Sequence, residues 1–375
     1  TLTHALVAGS PALDAGDPNF AGPFQHDQRG APFTRVAGGT IDIGAFESQS
    51  LALVVDTLSD VNNGNYSAGN LSLREALELT NANPGADTVG FAPALTGTIN
   101  LGGTELMISD ELAIAGPGAD QLTIDAQGNS RVLRISSGTV DIEGFTLTGG
   151  NVGRGGGLHN DASATTTLTD MVITGNTATE FNFDAGGGVW NVGDLTLTNS
   201  TVSLNTAPNG SASGGGVWSG NLLTVIGSTI SGNSATSSGG AGGGIFNDGG
   251  ILTVSGSTIS GNSAGLNGGG IWSDTDLNAQ TTTINNSTIS GNFATKGGGV
   301  YNYDGLTVIE HSTITLNTAT TEGDGVWSWG DNATQTDVRS SIIAGNTDDD
   351  DVHTGGSSDF VSQGYNLIGG GNDSG

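Results

Sequence analysis

The chain has 375 residues, 66 of them Gly and none Cys, with 8 Lys+Arg against 37 Asp+Glu and a formal net charge of −29. Such acidity opposes binding to nucleic acid or anionic membranes, and the absence of cysteine excludes a disulfide scaffold. No apolar run approaches membrane-spanning length, so the balance suits an extracellular protein, a saline setting, or a chain neutralised by Ca²⁺.

Residues 1–48 contain Ser10-Pro-Ala-Leu-Asp-Ala-Gly-Asp17, Asp27-Gln-Arg-Gly30 and Ile41-Asp-Ile-Gly-Ala-Phe-Glu47. Asp14, Asp27, Arg29, Asp42 and Glu47 are expected to form a structural Arg–carboxylate network at a solenoid end, in preference to a catalytic set. The chain opens mid-pattern at Thr1, which reads as a segment of something longer. Residues 51–145 begin with a strand, Leu51-Ala-Leu-Val-Val55, and a polar loop, Asp56 to Asn70. Ser72 and Glu75 then make a capping box, and Asn83-Pro84 stops the chain's one convincing helix, predicted over 72–83. Its expected task is to cover the open end of a solenoid. Short alternating strands follow, from Thr98-Ile-Asn-Leu101 to Val140-Asp-Ile142.

From Thr146 to Asn346 a phrase of the form Ser-Thr-Ile-Ser-Gly-Asn recurs. Its closing residues, Asn176, Asn205, Asn233, Asn262, Asn292, Asn317 and Asn346, are spaced by 29, 28, 29, 30, 25 and 29 residues, a period that marks a solenoid. Between copies stands a glycine triplet with an aliphatic and an aromatic residue, as in Gly214-Gly-Gly-Val-Trp-Ser219, and then an alternating run such as Leu195-Thr-Leu-Thr198. Three period-2 segments per repeat, separated by Gly, Asn and Ser, leave no room for a helix. The fold expected is all-β: a right-handed parallel β-helix with one short N-terminal capping helix. Ile230, Ile259, Ile289 and Ile314 fall in one interior stack, and Val189, Val217, Ile245, Ile271, Val300 and Val326 in another. The repeated asparagines are expected to form a hydrogen-bonded ladder along the coils. Residues 347–375 are acidic and Gly-rich, and the segmentation predicted is 1–48, 51–145, 146–346 and 347–375.

Leu71-Ser-Leu-Arg-Glu-Ala76 with Asn81-Ala-Asn-Pro-Gly-Ala-Asp-Thr88 and Leu122-Thr-Ile-Asp125 resembles the CSLREA domain of bacterial surface proteins, with Leu71 at that family's cysteine position. Ser10-Pro-Ala-Leu-Asp-Ala-Gly16 and Asp42-Ile-Gly-Ala-Phe-Glu47 resemble the closing part of choice-of-anchor Q proteins, and the Gly-Gly-Gly-Ile and Ser-Gly-Asn-Ser phrases resemble polymorphic outer-membrane protein repeats. The resemblance implies a secreted β-helix within a large bacterial surface protein, and no established activity. In the resembling family the Ser-Pro-Ala-Leu-Asp piece follows a Tyr-Asn-Leu-Ile-Gly piece, present here as Tyr365-Asn-Leu-Ile-Gly369. The inverted order is explained by a tandem array in which residues 1–48 finish one unit and Leu51 opens the next.

The function expected is a non-enzymatic structural or adhesive module, stacked head to tail with neighbouring copies or units. The alternatives are a polysaccharide lyase or hydrolase, a glycan-binding β-helix, and an ice-binding solenoid. An enzyme needs clustered carboxylates with a basic partner in one groove, yet Lys296 is the one Lys or Arg between Asn176 and Asp337, and Glu310 and His311 read as isolated. Acidic loops around Asp274, Asp276 and Asp304 are the places for any such chemistry. Trp190, Trp218, Phe246, Trp272, Tyr301 and Trp327 each follow an inward aliphatic residue, so alternation turns them outward, one per coil. There they either bind surface sugars or stack on one another beneath covering loops. Outward Thr201, Thr229, Thr258, Thr288 and Thr313 form the array that an ice-binding surface needs. Calcium is the possible cofactor, through Asp56 and Asp60 or Asp348, Asp349, Asp350 and Asp351.

Overall fold

The computed structural model describes residues 4–6, 10–20, 22–181, 185–275, 280–331, 333–347 and 350–370. Asp276, Asp348 and Asp349 lie outside the described residues. The chain winds into a parallel β-solenoid of about ten turns with a single helix.

Each regular coil presents three strand faces. The first holds Val189–Asn191, Val217–Ser219, Ile245–Asp248, Ile271–Asp274, Val300–Asp304 and Val326–Gly330. Asp194–Thr198, Leu223–Ile226, Leu252–Ser255, Thr281–Asn285 and Leu306–Glu310 form the second. The third is built from Thr201–Ser203, Thr229–Ser231, Thr258–Ser260, Thr288–Ser290 and Thr313–Thr315. In two early coils the first two faces are one continuous strand, Leu133–Glu143 and Leu158–Thr169. A fourth, shorter ladder, Ser234–Ala235, Ser263–Ala264, Phe293–Lys296 and Thr318–Glu322, was not separated from the third face by the sequence pattern. It turns only alanine inward (Ala235, Ala264, Ala294 and Ala319), so it lacks the aliphatic alternation that announces a strand.

Pairing keeps like residues on like. Val189, Val217, Ile245, Ile271, Val300 and Val326 are successive partners, as are Ile230, Ile259, Ile289 and Ile314. All ten are fully buried. Two glycine roles support this stacking. The first of each triplet takes a left-handed φ, +60° at Gly242 for example, where a Cβ is strained. The second and third do not; there a Cβ collides with the next coil, at 2.5 Å from the Ser263 carbonyl carbon for Gly243.

The helix, α1, spans Leu73–Asn81, two residues short of the predicted end because Asn83 is drawn into the interior. Its capping box is closed in both directions: Ser72 Oγ accepts from the Glu75 backbone N–H at 3.1 Å, and Glu75 Oε2 accepts from that of Ser72 at 3.2 Å. Leu73, Ala76, Leu77 and Thr80 are buried against the first coils, covering their end as a cap must. Residues 10–20 and 22–48, which are turns and isolated bridges, dock onto this cap. Phe33 joins the main core, and Arg29 Nη1 donates to Asn83 Oδ1 at 2.9 Å.

Candidate functional site

Three rows of polar groups run inside the solenoid. In the asparagine ladder each residue donates both its backbone N–H and its Nδ2 to the Oδ1 of the next. For Asn205 onto Asn233 both distances are 3.0 Å, and for Asn317 onto Asn346 likewise 3.0 Å. The run from Asn176 to Asn346 ends on an acceptor, Asp351 Oδ1, which takes the Asn346 backbone N–H at 2.9 Å. The amides rest on the third glycine of each triplet, whose Cβ would lie 2.9 Å from Asn233 Cγ at Gly216. Sequence reasoning missed the other two rows. Ser200, Ser228, Ser257, Ser287, Ser312 and Ser341 form one corner row: Ser200 Oγ accepts the Met171 N–H at 3.1 Å, and each later hydroxyl accepts the preceding serine's backbone N–H at 3.0–3.1 Å. Asn160, Asn191 and Ser219 begin the other, with Asn160 Nδ2 donating to Asn191 Oδ1 at 2.8 Å. The asparagine ladder and the serine row pair their buried polar groups, while the third row leaves Asn247 Oδ1 and Asn302 Oδ1 without a partner; all three are structural.

The aromatic residues belong to one longer column on the outer side of the first face. Partner by partner it runs Met107, Arg134, His159, Trp190, Trp218, Phe246, Trp272, Tyr301, Trp327, His353. Although turned away from the interior, Trp218, Phe246, Tyr301 and Trp327 are no more than 5 % exposed and Trp272 is 9 % exposed; Trp190 is half-buried. The rings cover one another, with Trp190 and Trp218 centroids 5.3 Å apart at 10° and Phe246 and Trp272 4.0 Å apart at 4°. Lys296 Nζ caps the Trp327 face at 4.3 Å and pairs with Glu322 at 2.8 Å. The column is therefore a second hydrophobic layer outside the main core.

At its other end stands a charged cluster. Asp161 holds Arg134 Nη2 at 2.8 Å and His159 Nε2 at 2.8 Å. Burial, with Arg131 next, pulls the His159 pKa down to about 4. The ring is thus neutral at pH 7 and donates Nε2–H to Asp161, which agrees with an Nδ1 that is buried without a partner.

The other acidic candidates also have partners. Asp27 pairs with Arg29 at 2.8 Å, and the Arg29 guanidinium lies 3.8 Å from the ring centroids of both Phe33 and Phe46. Asp42 accepts from the Asp14 and Ser48 backbone N–H groups at 2.7 Å, and Glu47 from Ala37 and Asp42 at 3.0 Å. These bonds make the cluster a clamp. Asp60 forms a two-pronged pair with Arg74, at 2.8 and 2.9 Å, while Asp56 accepts from Leu71 and Gly69. Asp350 accepts the Gly323 N–H at 2.7 Å. Each of these carboxylates is thus engaged by a guanidinium or by backbone N–H groups. Among the described residues no group of three or more His, Cys, Asp or Glu side chains is placed to hold a metal. Glu310 is not isolated: it stands opposite Arg339 one coil on, 3.1 Å away. His311 is a corner residue at φ +50°.

Two concavities lie over the outer faces of the coils. One, of about 530 Å³, lies over the second face and carries Asp141 and Glu143 among threonines and alanines, with no Arg, Lys or His in its lining. The other, of about 480 Å³, adjoins the aromatic column at Phe246, Trp272 and Tyr303.

Parallel stacking, polar interior rows and a ring-covered flank define a β-solenoid built by repetition. No described protein family, curated protein sequence or solved structure matches this chain.

Proposed function

We propose that the chain is a non-enzymatic, extracellular rod module, a unit of a tandem surface or filament protein of the kind its CSLREA-like phrases suggest. The observation that carries the reading is continuity. Parallel pairing of the described strands carries one core from Ala52 to Ile368, with only local register shifts at Asn160/Ser163, Ser273/Asp274 and Ala294/Lys296, and the leading segment is clamped to the cap. Arg29 spans the junction, with its Nη2 on Glu47 O at 2.7 Å and its Nη1 on Asn83; Asn83 Nδ2 in turn donates to Gln49 O at 2.6 Å. Buried, multiply bonded groups at a joint resist bending, so successive units would continue one axis. The net charge of −29 keeps such rods apart sideways.

Imaging the native assembly by electron microscopy tests the reading. About ten turns at about 4.8 Å each give roughly 50 Å of coil per unit, and the expected object is a straight rod with a repeat no shorter than that. Beads on flexible tethers would overturn it.

A further inference from the structure

We propose that the slot beside Phe246, Trp272 and Tyr303 binds a segment of neutral saccharide. This goes beyond the rod reading: a rod needs no such slot, and the slot can bind on a chain that never assembles.

The slot arises from a local break in the repeat. Two residues after each column ring, successive coils carry Gly220, Asp248 and Asp274. In the next coil the register shifts, so that Asp274 pairs with Asp304 and Tyr303 is the extra residue. Such a bulge re-aims a side chain and is common beside binding sites. Here it lays the Tyr303 ring 5.7 Å from Trp272 at 20°, and 6.1 Å from Tyr301 at 14°. While the column rings cover one another, Tyr303 stays 40 % exposed and Leu266 across the slot 38 %. The cavity between them is about 480 Å³, within the size range of small-molecule sites.

Its chemistry is that of a sugar site. A pyranose offers C–H faces, which lie on aromatic and aliphatic walls, and hydroxyl donors, which need acceptors. Asp248 and Asn267 line the slot, and Asn267 Oδ1 has no hydrogen-bond partner within the chain. Rotation about the soft terminal torsion of Asn turns that acceptor toward a ligand. The surroundings also select against anions. The neighbouring Tyr301 hydroxyl has its pKa pushed up by burial first, then by Tyr303, and last by Glu322 and Asp274. A uronate would bring a second carboxylate close to Asp248, whereas a neutral sugar adds no charge there.

The test titrates the full chain with cellohexaose, chitohexaose, mannohexaose and hexagalacturonate, read by calorimetry and tryptophan fluorescence. At least one neutral oligosaccharide should bind saturably, and hexagalacturonate should not. Tyr303→Ala should weaken that binding about tenfold, the scale of one lost aromatic contact, without changing the unfolding midpoint, and Tyr303→Phe should retain it. Leu266→Glu, on the opposite wall, supplies an independent loss if Tyr303→Ala folds poorly. The proposal is overturned if no neutral oligosaccharide binds, if hexagalacturonate binds more tightly, or if both Tyr303→Ala and Leu266→Glu leave affinity unchanged.

Discussion

Removing one rung of the asparagine ladder should cost far more than its small volume suggests. Asn233 is 1 % exposed. Its Oδ1 accepts the backbone N–H and Nδ2 of Asn205, both at 3.0 Å. Its Nδ2 donates to Val202 O at 3.0 Å and to Asn262 Oδ1 at 2.9 Å. Asn233→Ala deletes all four bonds and leaves the Asn205 N–H buried without an acceptor. That orphan alone costs about 1–3 kcal/mol, and the other three bonds add about 0.5–1.5 kcal/mol each, so the sum is about 2.5–7.5 kcal/mol. Asn233→Asp keeps the shape and the Oδ1 acceptor but buries a charge. It should be destabilising at pH 7 and recover as the carboxyl protonates on acidification. Thr229→Ala, on the half-buried outer side of the same coil, should stay within about 0.5 kcal/mol. Guanidinium unfolding followed by circular dichroism, with hydrogen exchange localising the loss, provides the measurement. If Asn233→Ala falls within the Thr229→Ala range, the ladder is a passenger of the coil and the reasoning fails.

Four further outcomes follow from the geometry. Burial raises the Asp87 pKa to about 6, above its unfolded value, so the stabilisation it offers is full below about pH 4 and fades as pH rises through 6; Asp87→Asn should remove that decline in a melting-temperature profile. His159, depressed to about 4, works in the opposite sense: its contribution is present above pH 6.5 and lost as pH falls toward 4, and His159→Gln should flatten that limb. Gly243→Ala, which drives a Cβ into backbone, should cost about 3 kcal/mol or more, whereas Gly256→Ala, at φ +58° with its nearest atom 3.9 Å away, should cost about 1–2 kcal/mol by the same denaturant titration. Arg29→Lys loses the fork that joins Asp27, Glu47 and Asn83, so limited proteolysis should cut within residues 10–48 sooner while the coils remain protected.

Much of the fold is legible because the solenoid converts sequence period directly into contact. A residue 28 or 29 positions on is also the spatial neighbour, so alternation within one phrase and repetition between phrases suffice to place Ile230 on Ile259. The cap helix is equally plain, since Ser72 and Glu75 carry their own local signal. What escaped are features whose residue types have two uses. Serine at the head of each phrase looks like a turn residue, and only its place on the inner side of a corner makes Ser228 an interior acceptor. Glu310 and Arg339 look unrelated until register sets them opposite one another. Alternation aims Trp218 outward but does not say that its neighbours and the flanking loops will bury it.

The sequence by itself determined the coil, its strands, its inward aliphatic columns and the capped end, because each depends on period and local propensity. Tertiary structure alone decided which outward groups are wet. The aromatic column is closed off by ring-on-ring stacking, Asp56 and Asp60 are taken up by backbone and arginine, and Tyr303 is swung into an open slot by a one-residue shift in pairing. Solvent access depends on everything that packs around a group, and distant segments of the chain supply most of that packing.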